Sequence, residues 1–571
     1  MYVIPKPQKM DVYDKKISVK SLKINADNSE ILKFAKGSGE TPVNFVLDTK
    51  MKAEEYKINA SEKRIEIQYA DLEAAYRAFT TLKQIISQAE NDEINCFLIE
   101  DYPSLKNRGY MLDISRGKIP KLSYLKNLVD ILSDLKYNQL QLYMDSFVFE
   151  YKNFPEYCRD TEPLTKAEIK ELSDYCKERF IELVPNQNGF GHMAAWTQKK
   201  EISHLAITDK DGKPSATLNP FLTESVELID KIYDGFFDAF SSDKVNIGMD
   251  EPFELGLNET KEACEKYGVG KVYTDYLNKI CELISKKYNK TPMFWDDIVF
   301  KHPEQLANIP KNVIVMEWGY ETEQHFDRNC QRLHDKGMRF YVCSGTSMWG
   351  SFTGRTNNAI LNMIMAAETG NYYGAEGFLL TEWGDGGHPQ FPATSYFSLV
   401  LGGAVSWNCG DHNHEVSYNE RGQLIDDCKK YLDKFIFKTE NDISLADIAS
   451  RMGKYYLLED CLHFNGTELN YYLNRREELT PRKIKAFKQV LSYMNGIKEE
   501  LSEAKADKNM LRELNVNCDM VILFAKILTQ GTAGLQTEAD KLISEYEALW
   551  KMKNHIAGMN IFTDQIKNLK W

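Results

Sequence analysis

The residues best placed to do chemistry lie at 244–251, KVNIGMDE, where Asp250 and Glu251 stand side by side ahead of Pro252. Two adjacent carboxylates are costly to bury unless they are well paired or put to work. Val245, Ile247 and Met249 alternate with smaller or polar residues, as in a short buried strand, and Pro252 ends the ladder. Neighbouring side chains on a strand point to opposite faces. The pair therefore does not suit a mechanism in which two carboxylates face each other across a glycosidic bond, about 5–5.5 Å apart. It suits a division of labour, with Glu251 reaching a leaving group and Asp250 holding a group beside it. A structural ion pair or an N-cap is the competing use of the same dipeptide.

Other short apolar runs end in the same way. PMFWDD closes on Trp295, Asp296 and Asp297. VIVMEWG brings Glu317 and Trp318, with Tyr320 beyond, and Trp349 follows FYVCSG. GFLLTEW brings Glu382 and Trp383, and Asp385 is two residues on. Tryptophan usually belongs to a core, yet four of the eight stand at successive strand ends with carboxylates between them. Aromatic faces stack on the C–H faces of sugars while carboxylates take their hydroxyls, so a carbohydrate pocket fits better than a phosphate site. GDGG at 384–387 lacks the following Lys and Ser/Thr of a phosphate loop and reads as a tight turn. His192 and the Asp296–Asp297 pair are metal-ligand types, but no HxH or HExxH accompanies them; no metal and no cofactor are expected. Arg108, in NRGYMLDISRG, reads by itself as half of a structural ion pair.

The elements that must position these residues form an alternating series. From Arg108 onward, eight strand-like runs alternate with helical stretches such as 122–135, 166–179, 222–240, 272–287, 323–336 and 357–369. Eight such units over roughly 300 residues are what a (β/α)8 TIM barrel needs, with function at the C-terminal strand tips. A doubly wound sheet is the rival, but no GxGxxG follows the first strand. Residues 1–100 predict a small α+β domain with an amphipathic helix over 71–89, residues 101–415 the catalytic barrel, and residues 416–571 a helical C-terminal domain. The apolar stripes of that last domain read as core, with a homodimer face as the alternative.

A chain of 571 residues with net charge −13 disfavours nucleic acid and anionic membranes as partners. Eleven scattered cysteines without CxxC, and no apolar leader or 18-residue apolar run, point to a soluble cytoplasmic protein. Sequons at Asn59, Asn258, Asn289 and Asn465 then carry no weight.

NRGYMLDISR, GFGHMAAW, NIGMDE, FWDD and EWGD, in that order, resemble the family-20 glycoside hydrolases, the β-N-acetylhexosaminidases. VIPKPQ, the small domain and DYPSLKNRG are similar too, over roughly residues 1–410, and the helical C-terminal region resembles that of cytoplasmic bacterial exo-β-N-acetylglucosaminidases. The resemblance implies Glu251 as general acid/base, to be protonated by burial among tryptophans, and Asp250 as the partner of the substrate's acetamido group. It implies Arg108 for the sugar 3- and 4-hydroxyls, Trp295, Trp318 and Trp383 as walls, with Trp349 lining the same site, Asp385 for the 4- and 6-hydroxyls, and His192 in support of the acid. The substrate implied is a glycan or glycoconjugate with terminal β-GlcNAc or GalNAc, cleaved with retention through an oxazolinium intermediate. The chain departs from the family at HxGGDE, where Asn246 replaces the histidine, whose supporting role passes to Asn246 or is lost. The family's acetamido-binding tyrosine is either Tyr320 or Tyr341. Two other readings stay open: a barrel glycosidase using Glu317 or Glu382 as nucleophile, and a silent sugar-binding protein.

Overall fold

The structure is a computed structural model that describes residues 1–410, 418–473 and 475–569. The N-terminal part is a six-stranded sheet in the order β1-β6-β4-β5-β3-β2. Its strands are β1 (Lys9–Ser18), β2 (Leu22–Asn25), β3 (Thr41–Leu47), β4 (Tyr56–Ala60), β5 (Ile65–Tyr69) and β6 (Glu93–Asp101). The helix Leu72–Ile86 packs on it, its first turn capped by the Asp71 side chain, which accepts from the Ala74 N–H. β1 is mostly exposed on both faces, so it carries no alternation from which sequence could predict it.

Eight parallel strands then close a barrel. They are β7 (Asn107–Asp113), β8 (Gln139–Met144) and β9 (Glu182–Gln187), then β12 (Lys244–Asn246), β13 (Thr291–Trp295), β14 (Ile314–Trp318), β15 (Arg339–Gly345) and β16 (Gly377–Glu382); a small hairpin of β10 (Ala206–Thr208) and β11 (Pro214–Leu218) is inserted between β9 and β12. β16 pairs with β7, Leu380 opposite Tyr110, and completes the ring. The barrel interior is plugged by packed side chains. An amide cluster fills part of it: Gln141 donates to Gln139 (3.1 Å), and Asn186 donates to Gln141 (3.0 Å). This layer makes the barrel a floor rather than a pore.

The run expected as one strand over 244–250 pairs only as far as Asn246. Gly248 and Met249 then take φ of +70° and +77°, and Glu251 +50°. A Cβ on Gly248 would lie 2.4 Å from the Asn188 side chain, so a larger residue there would have to displace the amide that holds Asp250. Asp250 and Glu251 therefore sit on a turn, and the alternation rule for strand neighbours does not apply to them.

Beyond β16 the chain is helical, starting with a wholly buried helix, Tyr396–Trp407, and including Leu445–Met452, Pro481–Glu503, Lys508–Gln530 and Gln536–Lys553. The expected boundary at 415 and 416 falls outside the described residues. All eleven cysteines are free, ten of them buried. Among the described residues, no helix is long and apolar enough to cross a membrane.

Candidate active site

At the C-terminal mouth of the barrel lies a cavity of about 290 Å³, at the lower end of small-molecule pockets. It is lined by Asp250 and Glu251 after β12, Trp295, Trp318 and Tyr320, Trp349, and Trp383 with Asp385. Arg116 and His192 complete it from the β7 and β9 ends, and Asn465 enters from the helical region.

His192 organises the acids. Its Nε2 is 3.2 Å from Asp250 Oδ2 and 3.4 Å from Glu251 Oε2, so one imidazole faces both carboxylates. Burial opposes a charge on His192, but the Asp250 carboxylate, helped by Glu251, outweighs it and raises the imidazole pKa to about 10. Asp250 is buried, which disfavours its charge, yet His192 and the Asn188 amide (2.7 Å to Oδ1) hold its pKa below the usual carboxylate value. Glu251 is not enclosed by the tryptophans: its side chain is 35 % exposed at the rim.

The two shifts set a stability window. Asp250's contribution is present above its unfolded value near 3.8 and is lost as pH falls through the depressed folded value. That of His192 is full below its unfolded value of 6.5 and is lost as pH rises through about 10. The pair therefore stabilises most between about pH 4 and 6.5. In thermal melts, His192→Gln is expected to fall furthest below wild type near pH 5.5, with the gap closing toward pH 10. A gap independent of pH would mean that His192 titrates alike in the folded and unfolded protein, so that the carboxylates do not hold it charged.

The aromatic residues brace one another. Trp383 and Trp295 have centroids 5.8 Å apart, and Trp383 Nε1 donates to the Tyr320 hydroxyl (2.8 Å). Tyr320 meets Trp349 edge-on at 5.0 Å and Trp318 at 5.2 Å. The indole N–H groups of Trp295 and Trp318 are buried without a partner, which leaves two donors for a ligand. Of the two candidate tyrosines, Tyr320 is on the cavity, whereas Tyr341 is deep in the barrel beside Gln139.

Arg108 is elsewhere. It lies at the N-terminal end of β7, fully buried, with Nη1 3.2 Å from Glu54, and it donates to the carbonyls of Lys136, Leu105 and Lys106. The Trp407 ring covers its guanidinium at 4.9 Å. It seals the barrel against the small domain and cannot meet a ligand. Arg116, eight residues on, occupies the cavity instead, stacked on Tyr143 (4.8 Å) and Trp383 (5.5 Å), with Asp113 and Asp145 as counter-charges. Arg108→Leu is expected to cost about 3–5 kcal/mol by leaving Glu54 buried and unpaired, with substrate KM hardly moved. A raised KM with an unchanged denaturation midpoint would return Arg108 to the site.

Asn246 is also outside the site. Its amide oxygen accepts from the Gly248 N–H (3.0 Å), within the barrel floor, and Asn188 is the amide that touches Asp250. Asn188, Asp145 and Arg116 were not singled out from sequence; Arg116 and Asp145 share the signal of a polar residue at or just past a strand tip.

Four carboxylates beneath the surface complete the picture. Burial against Asp250 lifts Asp297 to about 7. Asp296 and Glu317 are buried together, and each leaves one oxygen without a donor; burial raises both above the ordinary carboxylate value, and the neighbouring Glu317 charge raises Asp296 further. Glu317 is tied to Asn329 (2.9 Å) and Gln324 (3.1 Å). Glu382 is held by the hydroxyls of Tyr110 (2.6 Å) and Ser395 (2.8 Å). Neither Glu317 nor Glu382 lines the cavity.

The models of glycosyl hydrolase family 20 match residues 106–375 as the catalytic domain and residues 1–102 as domain 2. The chain belongs to glycosyl hydrolase family 20. Among its relatives are a "Beta-hexosaminidase subunit beta" of Entamoeba histolytica, 24 % identical over 46 % of this chain and 50 % of that protein, and a human "Hexosaminidase D", 24 % identical over 47 % and 58 %. The chain thus spans about half the length of the curated relatives it matches. A chitobiase of Flavobacterium johnsoniae has the same fold over 96 % of this chain and 98 % of its own, with a TM-score of 0.63 at 17 % identity. A β-N-acetylhexosaminidase of Bacteroides fragilis superposes over 76 % and 95 %, with a TM-score of 0.61 at 16 % identity. The last barrel strand, β16, and the helical region after it lie beyond the matched segments.

Proposed function

We propose that the protein is an exo-acting, retaining β-N-acetylhexosaminidase that removes terminal β-linked GlcNAc, or GalNAc, by substrate assistance. The observation that carries this reading is where the carboxylates lie. The cavity holds Asp250 and Glu251 on one histidine, while Glu317 and Glu382, the two candidate protein nucleophiles, are packed outside it.

The acetamido oxygen of the substrate attacks the anomeric carbon as the glycosidic C–O bond breaks, and Glu251 gives its proton to the leaving oxygen. The bicyclic oxazolinium that results is opened by water, which returns a proton to Glu251. Asp250, kept ionised by His192 and Asn188, faces the acetamido nitrogen as positive charge develops there. Tyr320 and the free indole N–H groups serve the acetamido oxygen, and Arg116 and Asp385 take the ring hydroxyls.

A panel of nitrophenyl glycosides tests the proposal. β-GlcNAc or β-GalNAc is expected to be cleaved and β-glucoside left nearly untouched. Comparable cleavage of β-glucoside would favour a protein nucleophile, and binding without cleavage of any member a silent lectin-like protein.

A further inference from the structure

Among the described residues, Asn465 is the one lining residue of the cavity that comes from the helical region, and it lies outside both family-model segments. The loop that carries it is fixed from two sides. The Asn465 N–H donates to Glu321 (2.8 Å), whose carboxylate is gripped by both terminal nitrogens of Arg355 (2.8 Å each). Arg355 also donates to the His463 carbonyl (3.2 Å). On the other side, the Thr467 N–H donates to the Gly350 carbonyl (3.0 Å), directly after Trp349. Gly350 has φ +61°, and a Cβ there would fall 2.4 Å from the Asn465 carbonyl oxygen, so the loop lies directly against the barrel rim.

This framework presents an acceptor without a donor. Asn465 Oδ1 is buried and has no hydrogen-bond partner, an expensive state unless a ligand supplies the donor. Asn465 itself is partly exposed, as Glu251 is, whereas Trp295, Trp349 and Asp250 beneath are buried. Its partial exposure, and that of the loop around it, place it where the cavity opens to solvent, the direction in which the rest of a glycan leaves. Phe464 and Leu462 on the same loop are 78 % and 69 % exposed and extend the rim with apolar surface. Arg116 and Asp385, assigned above to the ring hydroxyls of the terminal sugar, line the same cavity from the β7 and β16 ends.

We infer that the 461–467 loop of the helical region builds the binding site for the leaving-group sugar, with Asn465 accepting a hydrogen bond from one of its hydroxyls and Phe464 offering an apolar face to its ring. The family's barrel would then supply the chemistry, and the helical region would select the sugar to which the terminal residue is linked. This inference rests on the hexosaminidase reading of the same cavity.

The test compares a sugar leaving group with one that has no hydroxyl donors: N,N′-diacetylchitobiose against p-nitrophenyl β-GlcNAc. Asn465 has φ +54°, so Asn465→Gly removes the amide without backbone strain where alanine would add it. One hydrogen bond between neutral groups corresponds to roughly a two- to tenfold change. Asn465→Gly is expected to lose about five- to tenfold more kcat/KM on the disaccharide than on the aryl glycoside. Asn465→Asp, which keeps both an acceptor and a side chain that tolerates this conformation, is expected to lose less on the disaccharide than the glycine variant. Equal losses on the two substrates, or an aspartate variant as impaired as the glycine one, would overturn the inference. If wild type cleaves the aryl glycoside and the ratio does not move, the inference fails and the hexosaminidase reading stands. If wild type cleaves neither, both fall.

Discussion

Glu251→Gln is expected to reduce kcat/KM by roughly 10²–10⁴-fold on substrates with poor leaving groups, the usual cost of losing a general acid. The change preserves shape and removes only the transferable proton. Because glutamine cannot protonate the departing oxygen, the loss should grow as the leaving group becomes more basic and shrink for dinitrophenyl glycosides, which depart unaided. A series of aryl glycosides graded by phenol pKa reads this directly as a steeper slope in the variant. Equal loss across the series would place Glu251 in binding or structure, a role its partly exposed place beside His192 also permits.

Asp250→Asn is expected to lower the rate on β-GlcNAc substrates by roughly 10²–10³-fold, the scale observed when a preorganised group facing developing charge is removed. The side chain is buried and charged, so two effects arise together. The acetamido nitrogen loses its anion in the transition state. His192 also loses its principal counter-charge, and its pKa should fall back from about 10 toward neutrality. The second effect separates this account from simple misfolding. NMR titration of His192 should show an imidazolium through neutral pH in wild type and a neutral ring in the variant. An unchanged His192 titration would mean that Glu251, not Asp250, holds the imidazole charged.

The barrel was legible because its strands are compact apolar runs and helices such as Leu122–Asp134 carry one buried stripe, and these patterns survive without knowledge of partners. The tryptophans and Asp385 were legible for the same reason: a strand tip has a defined place in a barrel. Arg108 shows where a motif misleads. NRGYMLDISR holds two arginines, and only the one past the C-terminal end of β7 can reach the mouth; Arg108, at the other end, faces the small domain and Glu54. The turn at 248–251 was not legible, since alternation of Val245, Ile247 and Met249 continues past the last paired residue, and only Gly248 signals the reversal. Asn188 and Asn465 were invisible for a different reason. An amide is ordinary anywhere in a sequence, and these two matter only through contacts made across 62 residues and more, to Asp250 and to the barrel rim.

The acetamido group of the substrate is the nucleophile in this account, and its working partner is Asp250, so their losses should not be independent. Wild type and Asp250→Asn, each assayed on aryl β-GlcNAc and aryl β-glucoside, form the cycle that measures it. The account predicts a large preference for β-GlcNAc in wild type that shrinks by at least tenfold in the variant, because the charge that favoured the acetamido group has gone. A preference of the same size in both proteins would contradict it.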